Sequence, residues 1–107
     1  MHGKYETLLL LDPELGNEGS SVLLEKFSGV LEKNGGQIIR NDDWGVKTLA
    51  YPVQKQVRGR YIRMEYSLPP AQVSEFERNI RITDGVFKFL TVKLDQAQDK
   101  QEQQEVE

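Results

Sequence analysis

Arg60-Tyr61-Ile62-Arg63-Met64-Glu65-Tyr66-Ser67-Leu68, closed by Pro69-Pro70, decides the fold. Side chains alternate across a strand, so Ile62, Met64, Tyr66 and Leu68 share one face. Tyr61, Arg63, Glu65 and Ser67 take the other. A strand with one apolar and one mixed face lies in a sheet that is covered on one side. Pro69-Pro70 ends it and opens a helix, where a missing N–H is tolerated.

Working outward, Val73, Phe76 and Ile80 give that second helix its buried stripe. Thr83-Asp84-Gly85 turns the chain into a last strand, Val86 to Lys93. Upstream, a loop from Val53 to Gly59 leads back to a strand beginning near Gln37, with a bend at Gly45 and a stop at Pro52. Before it, Gly35-Gly36 supplies a left-handed helix cap. The first helix starts at Asn17 or Ser20 and runs to Asn34, with Leu23, Phe27, Val30 and Leu31 on one stripe. The first strand is Lys4 to Leu11, ended by Asp12-Pro13. Its run Leu8-Leu9-Leu10-Leu11 makes both faces apolar, which predicts a central position.

The order β-α-β-β-α-β is the split arrangement of the ferredoxin-like α+β fold. Right-handed crossovers put both helices on one face and the first and third strands in the middle. The other sheet face stays uncovered. At 107 residues the chain suits one domain, expected over 1–94. Residues 95–107 hold almost nothing to bury and are expected to be an acidic, Gln-rich disordered tail.

Charge is polarised. The net value is −3, yet residues 95–107 carry five acids against one base, leaving the first 94 at +1. Residues 40–63 hold six cations against Asp42 and Asp43, a local +4. Such a map matters more for polyanion binding than the sum does. No secretory signal or bilayer-spanning run is visible, so no membrane role is expected.

Catalysis finds little support. Cysteine is absent, which excludes disulfides, thiolate metal sites and cysteine nucleophiles. His2 is the only histidine and reads as a solvated end residue. Asp42-Asp43 on adjacent strand positions point to opposite faces and do not converge on one metal ion; solvation of a loop or bulge explains them better. No enzyme activity, cofactor, metal or small-molecule substrate is expected.

The second hairpin carries more. Trp44, Lys47, Tyr51, Lys55, Arg58, Arg60, Tyr61 and Arg63 interleave cations with rings, which suits phosphates and unpaired bases. Tyr51 and Trp44 also read as ordinary core rings of a hairpin. An RNA-recognition motif shares the element order, but Arg60 and Ile62 stand where its third-strand motif needs rings. A metabolite-binding regulatory module is the competing class; salt-dependent RNA binding separates the two.

Tyr5-Glu6, Asp12-Pro13-Glu14-Leu15, Gly35-Gly36, Trp44-Gly45, Leu49-Ala50-Tyr51-Pro52, Lys55 to Gly59-Tyr61, Arg81-Ile82, Asp84, Val86 and Val92-Lys93 together resemble ribosomal protein six of the bacterial small subunit. The resemblance runs from about Tyr5 to Lys93. It implies a ferredoxin-like scaffold protein of the cytoplasmic ribosome that binds small-subunit ribosomal RNA. It also implies a heterodimer with ribosomal protein eighteen, both entering the assembling subunit on the central RNA domain. RNA contact then falls on Lys4, Lys47 with Thr48, the Lys55 loop, Lys88 and Lys93. Arg58 and Arg60 join these from the hairpin reading. The partner surface is expected at Leu8, Leu10, Tyr61 and Arg63. Two places often arginine in this family hold His2 and Gly3, and Arg63 stands where a ring can occur.

Overall fold

A computed structural model describes residues 2–53 and 55–94. The elements are β1 (Gly3–Leu11), α1 (Gly16–Lys33), β2 (Gln37–Val53), β3 (Gln56–Leu68), α2 (Val73–Arg81) and β4 (Val86–Leu94). Short 3-10 turns, Pro13–Leu15 and Pro70–Gln72, precede the two helices. The sheet order is β2-β3-β1-β4, and every neighbouring pair is antiparallel. This is the ferredoxin-like arrangement, with β1 and β3 central.

Register explains the core. Leu9 stands opposite Ile62, Thr7 opposite Met64 and Tyr5 opposite Tyr66. The odd positions of β1 therefore share a face with Ile62, Met64, Tyr66 and Leu68. Leu23, Phe27 and Leu31 of α1 and Phe76 and Ile80 of α2 cover that face. Phe76 meets Tyr66 edge to face at 4.9 Å and Phe27 at 6.3 Å. One polar link crosses the packed face. The Tyr66 hydroxyl shares a 2.8 Å hydrogen bond with Thr7 Oγ1, which also bonds Thr91 Oγ1 at 2.9 Å. Burial, partly offset by the Thr7 bond, pushes the Tyr66 hydroxyl pKa up to about 12.

Several expectations need correction. α1 starts at Gly16, because Asp12 Oδ1 accepts from the Glu14 amide and Pro13–Leu15 turns directly into the helix. Pro69-Pro70 leads into a 3-10 turn, and α2 proper begins at Val73. Gly35, at φ 88°, takes the left-handed cap position after α1. The largest difference is the hairpin. The expected loop Val53–Gly59 is ladder at Val53 and from Gln56 to Gly59, with β3 starting at Gln56, and Pro52 does not stop β2. β2 is an edge strand, where a proline sacrifices no essential ladder bond. The bend at Gly45 is present, at φ 84° beside a register shift. The tail assigned to 95–107 lies outside the described residues.

Candidate nucleic-acid and partner interface

β1 and β3 are packed on one side by helices, so their even and odd remainders define an open face. Leu8 stands opposite Arg63 and Leu10 opposite Tyr61. On β4, Leu8 faces Leu90 and Leu10 faces Lys88. The four leucines thus split by parity, with Leu9 and Leu11 inside and Leu8 and Leu10 on the open side.

The long hairpin shapes that side. Between the pairs Thr48–Arg58 and Val53–Gln56, β3 holds one residue where β2 holds four, Leu49 to Pro52. The surplus leaves the ladder as an extended bulge. It overhangs the sheet and makes an open groove of about 280 Å³ with Leu8, Leu10, Leu49, Tyr51, Tyr61 and Leu90 on its walls. Gly59 permits the approach, since a Cβ there would collide with Leu10. Leu10 is consequently buried, whereas Leu90 and Tyr51 are 63% and 67% exposed. Lys88 Nζ lies 5.7 Å from the Tyr51 ring centre, tying the bulge to β4. Tyr51 and Trp44 are therefore surface rings rather than core rings, Trp44 because it falls at the register shift between Asp43 and Gly45.

The cations sort by what surrounds them. Arg63 reaches Glu6 at 2.9 Å, Asp42 at 3.2 Å and Glu65 at 3.4 Å. Partial burial opposes its charge, but the bonds to Glu6 and Glu65 more than offset that and raise its pKa. Arg60 pairs with Asp43, its Nε donating to Oδ1 at 3.2 Å. The Arg60 bond, joined by the Gly45 amide, lowers the Asp43 pKa. Asp42 and Asp43 do point to opposite faces, but each answers an arginine instead of merely solvating a loop. Lys4 lies 4.0 Å from Glu65.

Lys47, Lys55, Arg58, Lys88 and Lys93 make no ion pair among the described residues. Lys47 stands opposite Gly59 and Thr48 opposite Arg58, successive ladder pairs. Lys47 therefore leaves one face of the hairpin and Arg58 the other. Lys55 occupies the turn at φ 68°, an uncommon place for a side-chain-bearing residue. Lys88 joins this end of the sheet through Tyr51. Lys4 and Lys93 do not. Lys4 pairs with Leu94 and Tyr5 with Lys93, six and five residues along the ladder from the Leu10–Lys88 pair. At about 3.3 Å per residue that is roughly 17–20 Å away. Lys93 also shares the helix-side parity of Tyr5, whereas Lys88 is on the open face.

Sequence reasoning missed Leu49, Tyr51 and Leu90 as groove walls. The alternation of Lys88, Leu90 and Val92 was a usable signal for the last of them. The bulge was not readable, because no local residue announces a surplus of three. Among the described residues no cluster of His, Asp and Glu forms a metal site. No helix there is long and apolar enough to cross a membrane.

The sequence pattern of the family described as Ribosomal protein S6 matches residues 4–93. The chain belongs to the ribosomal protein S6 family. It is 57% identical over 91 residues to small ribosomal subunit protein bS6 of Nitratidesulfovibrio vulgaris strain DP4, covering 85% of this chain and 90% of that one. To the bS6 protein of Lawsonia intracellularis it is 48% identical over 103 residues, covering 96% and 97%. The crystal structure of 30S ribosomal protein S6 from Thermotoga maritima superposes with a TM-score of 0.83, covering 98% of this chain and 99% of that one. At 20% identity this match bears on the fold. Family membership makes the chain a structural component of the small subunit of the cytoplasmic ribosome, not an enzyme.

Proposed function

We propose that the chain binds small-subunit ribosomal RNA as a heterodimer with ribosomal protein eighteen, during assembly and in the working ribosome. The observation that carries this is the adjacency of two unlike surfaces. An apolar groove walled by Leu8, Leu10, Tyr61 and Leu90 lies beside a hairpin whose cations Lys47, Lys55 and Arg58 have no carboxylate partners among the described residues. Exposed apolar walls suit a protein. Unanswered cations suit phosphates, which they bind by releasing counterions.

A chain of net charge −3 gains RNA affinity by pairing with a cationic protein. In this reading ribosomal protein eighteen covers the groove, Lys47, Lys55 and Lys88 reach RNA from its rim, and Thr48 and Arg58 reach it from the other face of the hairpin. Arg60 and Arg63 hold the local structure through their acids, with Arg63 beside the partner. Lys4 and Lys93 serve separate RNA contacts at the far end of the sheet, one from each face.

Tyr61→Glu is the test. Charging a half-buried ring at the groove is expected to weaken the heterodimer by more than about 1 kcal/mol while the fold survives. Isothermal titration with ribosomal protein eighteen measures this, together with RNA binding with and without that protein. Unchanged partner affinity in a folded variant overturns the docking surface. Equally tight RNA binding by this chain alone overturns joint binding.

A further inference from the structure

β4 opens with an irregularity. Lys88 stands opposite Leu10 and Val86 opposite Leu11, so Phe87 has no place in the ladder. A bulge on an edge strand re-aims the side chains beside it. Here it lies against the end of α2, where Arg81 sits 5.7 Å from the centre of the Phe89 ring. Arg81, Val86, Phe87, Lys88 and Phe89 line an open recess of about 250 Å³. Arg81 and Lys88 make no ion pair among the described residues, whereas Arg78, one turn back, is held by Glu75 at 2.9 Å. Residues 81–93 carry three cations against one acid, Asp84.

A ring at the surface beside a cation that no carboxylate answers among the described residues has the chemistry that takes single-stranded RNA. The ring stacks on a base and the cation neutralises the adjoining phosphate. We infer that this recess is a subsite for one unpaired RNA nucleotide, with the base against Phe87 and the phosphate held by Arg81. The inference rests on the RNA-binding reading above and goes beyond it. It adds a contact on β4 and α2, outside the hairpin, and it assigns a base-stacking role to a ring. Arg81 also lies at the C-terminal turn of α2, where a cation offsets the partial negative charge of the helix end. A purely structural role there predicts lost stability without lost binding.

The test uses the full chain with ribosomal protein eighteen and a central-domain fragment of small-subunit ribosomal RNA. Phe87→Leu keeps the apolar volume and removes the ring; Arg81→Gln keeps a polar side chain and removes the charge. Phe87→Leu is expected to weaken RNA binding roughly tenfold, the scale of one base–ring stack, with the salt dependence unchanged. Arg81→Gln is expected to lower the slope of log affinity against log salt by about one unit. Urea unfolding and titration of ribosomal protein eighteen without RNA accompany both.

Wild-type RNA affinity and slope in both folded variants overturn the subsite and leave the broader reading standing. Loss of stability with unchanged binding assigns Arg81 to the helix and overturns its phosphate role. Weakened partner affinity in the absence of RNA makes the recess a protein contact and overturns the nucleotide. Failure of the wild-type pair to bind the RNA fragment overturns the broader reading as well, and is seen before any variant is made.

Discussion

β3 is one continuous strand with two unlike halves. From Ile62 to Leu68 its side chains are committed to the molecule itself. Ile62, Met64, Tyr66 and Leu68 are at most 1% exposed, and on the other face Arg63 is surrounded by Glu6, Asp42 and Glu65. From Gln56 to Gly59 the strand has left the body of the sheet, with β2 as its ladder partner. Val57 is 57% exposed, and Arg58 has no carboxylate partner among the described residues. Arg58 and Arg63 look alike in sequence, five positions apart. Their surroundings make one available to a polyanion and the other a structural ion.

The sharpest way to break this comparison is to remove apolar volume from each half. Met64→Ala is expected to cost about 2–5 kcal/mol of folding stability, because it leaves a cavity under both helices. Val57→Ala is expected to cost less than about 0.5 kcal/mol. Urea denaturation of both variants reads the difference. Equal losses would show that the hairpin half is packed against something as firmly as the body.

The polar link of the body half offers a second test through pH. Tyr66 titrates near 10 when unfolded and at about 12 when folded. The folded state favours the neutral hydroxyl, so the contribution of Tyr66 to stability is level below about pH 10 and falls as pH rises from there through 12. A two-unit shift corresponds to about 2–3 kcal/mol. Tyr66→Phe should remove that dependence while keeping the ring against Phe76. A variant that still loses stability across the same window would assign the effect elsewhere.

The smallest expected effect distinguishes the two arginines. In the proposed complex with ribosomal protein eighteen, Arg58→Gln is expected to lower the salt slope of RNA binding by about one unit. Arg63→Gln is expected to leave the slope unchanged, and to alter folding by no more than about 1 kcal/mol, as for a partly exposed ion pair. RNA titrations at several salt concentrations decide. A slope change in Arg63→Gln alone would invert the assignment.

What the sequence determined by itself is the architecture. The alternation from Ile62 to Leu68, the helical stripes at Leu23–Phe27–Leu31 and Phe76–Ile80, and the order of elements specify the fold, because a period of 2 or 3.6 residues fixes which face must be buried. The opposite directions of Asp42 and Asp43 were legible for the same reason. The parity of Leu8 and Leu10 was open in a four-leucine run and came from register, since Leu9 stands opposite Ile62. Tertiary structure alone decided the rest. It brought Glu6 to Arg63 and Asp43 to Arg60 from other strands, and it folded Leu49–Pro52 over the open sheet. It also set Lys4 and Lys93 apart from Lys88. Pairing between strands determines which charges neutralise one another, and that pairing joins residues whose distance in sequence carries no local mark.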